Sequence, residues 1–144
     1  MDYDKVKAAE FGASLKGMGI NLLVRDVLAS ASFLQDVFGM KVFQPTADFA
    51  IVAYGDQVFQ LHSDATFHSH PLPSLLPEAG PRGGGIELRL YETDPDEAVK
   101  LTEAHVHDAT VLQPATDKPH GLRECVILCE NGYAWVPSRP LEAS

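Results

Sequence analysis

The sequence has 144 residues, of which 45% are hydrophobic, and its 20 acidic and 11 basic side chains give a formal net charge of −9. This length and apolar content are typical of one folded domain with a core of its own. The acidic excess repels phosphate backbones, and no stretch approaches the about 20 apolar residues of a membrane span. Neither nucleic acid nor a membrane is therefore an expected partner.

The first half of the chain predicts a strand, a helix and three more strands. The apolar stretch 17–27 predicts a strand that ends near Arg25, and apolar residues at helical spacing predict a helix over 28–38. Asp26 is placed to cap the start of this helix, and Gly39 is placed to end it. Further strands are predicted at 41–44, 49–54 and 57–62.

A long loop at 64–83 separates this half from the next. It contains four prolines and runs into the Gly83-Gly84-Gly85 triplet, and both features interrupt regular structure. Loops of this length in compact domains are often functional lids or walls. We therefore interpret the segment as a connection within one domain rather than as a domain boundary.

The second half predicts the same order of elements as the first. A strand at 85–93 precedes a helix at 95–104, for which Asp94 is the predicted cap, and strands follow at 110–113, 123–129 and 133–136. Gly19-Ile-Asn-Leu in the first strand matches Gly85-Ile-Glu-Leu, 66 residues later. Matched order, caps and turns indicate a duplicated module.

The two cysteines indicate in which cellular compartment the protein is expected. Cys125 and Cys129 lie four residues apart in the predicted strand 123–129, which is too far for a disulfide. Residues 1–16 have no continuous apolar core flanked by basic residues, so no secretory signal is expected. Buried thiols in a reducing compartment are the interpretation, and a cytoplasmic location is predicted.

Three segments resemble the glyoxalase/bleomycin-resistance/dioxygenase superfamily, whose members are also called vicinal oxygen chelate proteins. They are V-R-D-V with the following S-x-x-F-L-x-D-V-F-G-M helix at Val24–Met40, G-G-G-I-E-L-R-L at Gly83–Leu90, and R-x-x-V-x-L-x-E-N-G-Y at Arg123–Tyr133. Their order and spacing, rather than any one of them, carry the resemblance. It implies an α+β fold of two βαβββ modules with a concave cleft, which in many relatives closes on formation of a homodimer.

The resemblance divides the chain into five parts. An N-terminal extension at 1–16 precedes modules at about 17–63 and 84–138, which the loop 64–83 joins, and a tail follows at 139–144. Metal-using relatives place one ligand on the first and one on the last strand of each module. Carried over, these positions fall on Gly19, Gln60, Gly85 and Val136, and three of the four have no donor side chain. No metal and no cofactor are therefore expected.

Strand alternation selects the residues that line the expected cleft. With Gly19, Gly85 and Gln60 facing inward, Asn21, His62, Glu87 and Arg89 share that face. Glu87 has two interpretations, as an ion pair with Arg89 or Arg123 or as an unpaired carboxylate that binds a cation or acts as a base. His120 falls in a segment that resembles the substrate-contacting loop of the family. The predicted ligand-binding residues are Asn21, Gln60, His62, Glu87, Arg89, His120 and Arg123.

Two other histidine pairs have no such role in the prediction. His68 and His70 have the spacing of a local chelate, but a pair of solvated loop residues is the favoured interpretation. His105 and His107 are interpreted as part of a surface turn after the second helix.

The leading function hypothesis is a metal-independent protein that sequesters a small cationic or aromatic compound. The alternative is an enzyme, a metal-dependent lyase, isomerase or dioxygenase with a displaced metal site that uses His62, Glu87 and a loop histidine. A duplicated scaffold without a small ligand is the third possibility. The sequence leaves open whether any reaction is catalysed, and it names no catalytic residue.

Overall fold

The computed structural model describes residues 1–142, and the last two residues of the predicted tail lie outside the described residues. The chain forms two compact units, one of residues 1–35 and 39–75 and the other of residues 36–38 and 76–144. Each unit holds one four-stranded mixed sheet, and the α+β fold of two βαβββ modules is confirmed. The helices of the described part are too short or too polar to cross a bilayer.

The helices and strands of the first unit begin with an element that the sequence analysis did not predict. This is helix α1 at Ala8–Ser14, which lies in the predicted N-terminal extension. The module proper consists of β1 (Asn21–Val24), α2 (Val27–Phe38), β2 (Lys41–Phe43), β3 (Phe49–Tyr54) and β4 (Gln57–Ser63). The last three residues of α2, from Asp36 on, count with the second unit. The strand order is β1-β4-β3-β2, with β1 parallel to β4 and the other pairs antiparallel.

The predicted caps of α2 are confirmed. The Asp26 carboxylate accepts a hydrogen bond from the Ala29 backbone N–H at 3.0 Å, and Gly39 takes the left-handed conformation with φ 68°. One face of the first sheet carries Ala50, Val52 and Leu61, which are fully buried, and Ile51 on the other face is fully buried as well. The opposite face of this sheet carries the polar residues of the prediction.

The second unit repeats the arrangement. It consists of β5 (Glu87–Leu90), α3 (Pro95–Ala104), β6 (Thr110–Asp117), β7 (Leu122–Leu128) and β8 (Ala134–Pro140), with strand order β5-β8-β7-β6. Helix α3 packs on β6, β7 and β8, and Asp94 caps it by accepting from the Asp96 N–H at 3.2 Å. Because β8 continues to Pro140, the predicted tail at 139–144 begins inside this strand.

The first strand of each module is shorter than predicted, and glycines explain both beginnings. Gly17 has φ 68° and Gly85 has φ 90°, values that take the backbone out of the extended region shortly before β1 and β5. Ile86 lies outside β5 and is 58% exposed.

The connecting loop is less irregular than predicted. It contains two short 3-10 turns, at Asp64–Phe67 and Leu72–Leu75. In the second unit its last residues lie against the turn between β7 and β8. There the Arg82 N–H donates to the Asn131 carbonyl at 2.7 Å, and Pro81 lies against Gly132.

Candidate functional site

The first sheet brings three predicted site residues together on one face. Asn21 of β1 is the parallel partner of Gln60 of β4, and Ile51 of β3 is the antiparallel partner of Gln60 on its other side. His62 follows two residues later on the same strand and therefore on the same face. We call this the polar face of the first sheet. Asn21 is exposed, whereas Gln60 and His62 are half-buried.

His62 lies between two aromatic rings and orients the amide of Gln60. Its ring centroid is 5.1 Å from that of Phe49 and 5.1 Å from that of Phe67, a residue of the connecting loop. Its Nε2 donates to Gln60 Oε1 at 2.9 Å. With Oε1 accepting this bond, the amino group of Gln60 is oriented as a donor for a further partner.

Burial lowers the pKa of His62 below its ordinary value of 6.5. A lowered folded-state pKa means that the unfolded chain binds the proton more readily. The contribution to stability is therefore present above pH 6.5 and is lost as the pH falls through 6.5 toward the folded-state pKa.

The pH dependence of His62 can be measured with His62→Phe, which keeps a ring between Phe49 and Phe67. We expect the free energy of unfolding of the wild type to fall relative to that of the variant when the pH is lowered from 7.5 to 5.5. This interval crosses the ordinary pKa of histidine. Urea unfolding of both proteins at the two pH values measures this. A wild type that gains stability relative to the variant at the lower pH would contradict the placement of His62.

A cavity of about 610 Å³ lies in the first unit beside β4. Residues 14–20, which connect α1 to β1, form one wall, and residues 56–60 of the β3–β4 hairpin form another. Gln60 lines this cavity, and so does Tyr3 from the N-terminus. The volume falls within the range of about 300–1,000 Å³ that is typical of small-molecule sites.

The N-terminal segment packs against the same sheet, which sequence reasoning missed. The ring of Phe11 from α1 lies 6.3 Å from Phe49, and the ring of Tyr3 lies 5.4 Å from Phe43. The Gln44 side chain also donates to the Tyr3 carbonyl at 2.6 Å. The aromatic residues Tyr3 and Phe11 were the available signal. A segment interpreted as an extension therefore forms part of the cavity.

The second sheet holds a separate charged cluster. Arg89 of β5 donates to Glu87 Oε2 at 3.1 Å and to Glu124 Oε1 at 3.0 Å, and His120 Nε2 lies 2.7 Å from the same Glu124 oxygen. Glu87 is thus paired with Arg89, one of the two interpretations left open. The Arg89 guanidinium also lies 5.5 Å from the ring centroid of Tyr91.

Glu124 is the centre of this cluster, and the sequence analysis did not select it. Its side chain is 7% exposed. Burial raises its pKa, but the hydrogen bonds from Arg89 and His120 outweigh burial and hold the pKa below the ordinary value. A carboxylate directly before four apolar strand residues, Cys-Val-Ile-Leu, was the signal for it.

Arg123 lies on the opposite face of the second sheet from this cluster. As the neighbour of Glu124 in β7 it points toward α3, where its guanidinium donates to both carboxylate oxygens of Asp96 at 2.8 and 2.9 Å. It also donates to Asp117 at 2.9 Å. The structure therefore separates Arg123 from Glu87, Arg89 and His120, because a shift of one residue along a strand changes the face.

Cys125 offers no nucleophile. Cys125 is fully buried, and burial raises the pKa of its thiol to about 12, so the thiol is protonated at neutral pH. Cys129 is only partly buried, which corrects the expectation of two buried thiols.

The remaining four histidines form two pairs, one within the connecting loop and one that meets Asp36. His68 Nδ1 lies 3.0 Å from the Ala65 carbonyl, and His70 Nδ1 accepts from the Leu72 N–H at 3.0 Å. Both side chains therefore contact the backbone of the loop and stabilise its conformation. His105 and His107 follow α3 in a surface segment, as expected, and there they converge on Asp36 at the end of α2.

Solved structures share this fold. A glyoxalase/bleomycin resistance protein/dioxygenase family enzyme from Burkholderia phytofirmans PsJN superposes with a TM-score of 0.70 at 18% identity, over 85% of this chain and 96% of the other. The chain has the glyoxalase/bleomycin-resistance fold. A protein of the same description from Nocardioides gives a TM-score of 0.65 at 18% identity, over 93% and 92% of the two chains.

A lactoylglutathione lyase from Agrobacterium tumefaciens also has the glyoxalase/bleomycin-resistance fold, with a TM-score of 0.61 at 17% identity over 86% of this chain and 92% of the other. No protein-family model and no curated protein matches the sequence. The similarity is therefore one of fold, which confirms the resemblance at that level.

The positions at which metal-using relatives are expected to hold their ion do not suit a metal here. Gly85 lacks a side chain and has φ 90°, a conformation that a histidine or glutamate would adopt only under strain. Val136 is fully buried beside Arg89, and Gly19 precedes β1. Gln60, which His62 already engages, is the one position with a donor, and a single neutral amide does not hold a divalent ion.

Proposed function

We propose that this chain is a metal-independent small-molecule-binding protein that holds an aromatic compound in the cavity beside Gln60. The observation that carries the proposal is the cavity itself, about 610 Å³ in volume, which adjoins the face predicted to bind ligand. Sequestration rather than catalysis agrees with the lack of donors at the metal positions of the fold. A homodimer and a cytoplasmic location remain predictions.

The lining of the cavity favours an aromatic occupant. Leu15, Met18 and Ile20 are 40%, 92% and 39% exposed, so an apolar wall faces solvent where an apolar ligand would cover it. Met18 adds an unbranched, polarisable side chain, which adapts to flat rings. Exposed apolar surface of this kind gains free energy when it is covered, at roughly 25 cal/mol per Å².

Polar groups around the cavity would fix the orientation of the ligand. The Gln60 amino group is the oriented donor, so we expect the compound to carry a hydrogen-bond acceptor beside its rings. Lys16 and Asp56 both line the cavity, and their opposite charges give it no net preference for a cation. Of the two ligand classes expected from the sequence, the aromatic one is therefore the better supported.

Thermal unfolding with a panel of uncharged and cationic polycyclic aromatic compounds tests this proposal. A compound at about 100 times its Kd stabilises the folded state by roughly 2.7 kcal/mol, which is measurable as a rise in Tm. We expect a rise with members that carry an acceptor. A panel that produces no rise at millimolar concentration would overturn the proposal and favour the scaffold without a ligand.

Gly19→Leu provides the matched variant for the cavity. Gly19 lines it, has no left-handed backbone, and a Cβ there meets nothing within 4 Å, so a leucine would enter the cavity without strain. We expect at least a tenfold weaker Kd for the compound found in the panel. The control is Gly12→Leu, a position in α1 that also has free space but does not line the cavity, and it should keep the wild-type Kd. Equal weakening in both variants would contradict the assignment.

The enzymatic alternative predicts a different result. A metal-dependent lyase, isomerase or dioxygenase that used His62 and Glu87 would retain stoichiometric metal through these side chains. In the structure His62 is packed between aromatic rings and Glu87 is paired with Arg89. Metal analysis of the wild type and of His62→Phe separates the two functions, because metal that is lost with His62 would contradict the proposal.

A further inference from the structure

Three side chains with metal-binding atoms meet in the second unit, away from the cavity. Asp36 Oδ2 lies 3.0 Å from His107 Nε2 and 3.8 Å from His105 Nδ1, and all three donor atoms lie within 4.8 Å of one another. Two histidines and a carboxylate form a ligand set that zinc-class ions use. The group contains none of the residues that the fold family would use.

The distances suit a single ion. Donor atoms that bind one tetrahedral ion at 2.0–2.1 Å are about 3.3 Å apart. The separations of 3.0 and 3.8 Å from Asp36 lie on either side of this value. The His105 side chain is 42% exposed, so its imidazole can rotate to bring its donor atom closer to that of His107 without disturbing the core.

The local backbone brings the two imidazoles to the same side. His105 ends α3 in an extended conformation, and the His107 N–H donates back to the His105 carbonyl at 3.2 Å. Val106 between them is fully exposed, with a relative accessibility of 103%, so it turns away from the pair. The ring centroids of the histidines are 6.1 Å apart.

Two helix ends add a favourable field for a cation. Asp36 lies in the last turn of α2, and His105 is the residue that ends α3. The C-terminus of a helix carries about half a negative charge, which stabilises nearby cations. Neither helix has a basic residue in its last turn, so among the described residues of these turns no lysine or arginine already occupies that role.

We propose that Asp36, His105 and His107 bind a divalent transition-metal ion of the zinc class, with a fourth position left for water. Three protein ligands around an exposed ion make a site that exchanges its metal readily. The site is independent of the cavity beside Gln60, so the two proposals fail or succeed separately.

Titration calorimetry with Zn²⁺ and, separately, Ni²⁺ on chelator-treated protein tests this site. We expect one ion per chain with a Kd in the micromolar range, which is roughly 8 kcal/mol of binding free energy at 1 μM. In His105→Ala and Asp36→Asn the Kd should rise more than tenfold. His105 is largely exposed, so its variant should fold as the wild type does, and circular dichroism verifies that.

The matched control is the double variant His68→Ala/His70→Ala, which removes the other histidine pair and should keep the wild-type Kd within about twofold. Cobalt(II) absorption adds a second measurement, because visible bands of tetrahedral intensity should appear in the wild type and vanish in His105→Ala. A wild type that binds no ion at millimolar concentration overturns the proposal. Binding that survives in His105→Ala, or that is lost with His68 and His70, overturns it as well.

Discussion

Replacing Gly132 by alanine is expected to lower the free energy of unfolding by roughly 3 kcal/mol. Gly132 has φ 80°, a conformation that an L-residue adopts only with strain. In addition, a Cβ at this position would lie 2.3 Å from both the Cα and the Cβ of Pro81. Because the clash involves the Pro81 backbone, which no side-chain rotation can move away, either the turn between β7 and β8 or the loop must move.

Chemical denaturation measures this loss, and thermal unfolding should show a Tm lower by roughly 10 °C for a chain of this size. Gly121→Ala is the matched control. Gly121 has φ 93° in the β6–β7 connection, but a Cβ there meets nothing within 4 Å. Gly121→Ala should lower the free energy of unfolding by the backbone strain alone, roughly 1 kcal/mol. Equal losses in the two variants would show that Pro81 does not press on this turn.

Arg89→Met is expected to destabilise the protein by roughly 3 kcal/mol, because it leaves the carboxylate of Glu124 buried without its strongest partner. The Arg89 side chain is 20% exposed and that of Glu124 only 7%. The double variant Arg89→Met/Glu124→Gln removes the charge together with its partner and should recover most of the loss. Urea unfolding at pH 7 compares the wild type and the two variants.

The loss of stability in Arg89→Met should also depend on pH. Arg89 and His120 hold the pKa of Glu124 below its ordinary value of 4.5, so this carboxylate stabilises the fold above that pH and the contribution is lost as the pH falls through the folded-state pKa. In Arg89→Met burial predominates and Glu124 takes up a proton at higher pH. The difference between wild type and variant should therefore begin to narrow above pH 4.5, where Glu124 of the variant is protonated first, and continue to narrow as the pH falls further.

Arg123→Met is the matched control for that experiment. Arg123 makes three short hydrogen bonds, but its partners Asp96 and Asp117 are 40% and 65% exposed. Ion pairs of this exposure contribute about 0–1 kcal/mol, so the loss should be much smaller than for Arg89. A larger loss in Arg123→Met than in Arg89→Met would contradict the importance given to burial of Glu124.

The sequence predicted elements well wherever a local signal existed. Asp26 and Gly39 bound α2 as expected, and every predicted strand of both modules is present. Capping and alternation depend on neighbours within a few residues, so they can be identified without the fold. Helix α1 was missed because its seven residues include a glycine and only one large apolar side chain, that of Phe11. Its packing on the sheet, rather than its own propensity, accounts for it.

The candidate site was predictable only in part. Alternation correctly placed Gln60 with His62 and Glu87 with Arg89, since partners two residues apart share a face. It could not place Arg123, whose face depends on the pairing register of β7. It also could not identify Glu124 as the residue that both Arg89 and His120 contact. These contacts join residues up to 35 positions apart, and no local pattern records them.

The sequence by itself determined the duplicated βαβββ modules and the lack of donors at Gly19, Gly85 and Val136, because both are properties of residue order and residue type. Only the tertiary structure decided that the N-terminal segment helps to form a cavity, and that Asp36 meets His105 and His107. The physical reason is that a cavity and a ligand group depend on the approach of residues far apart in the chain, 69 positions between Asp36 and His105. Packing sets that approach, and the local sequence does not encode it in a readable pattern.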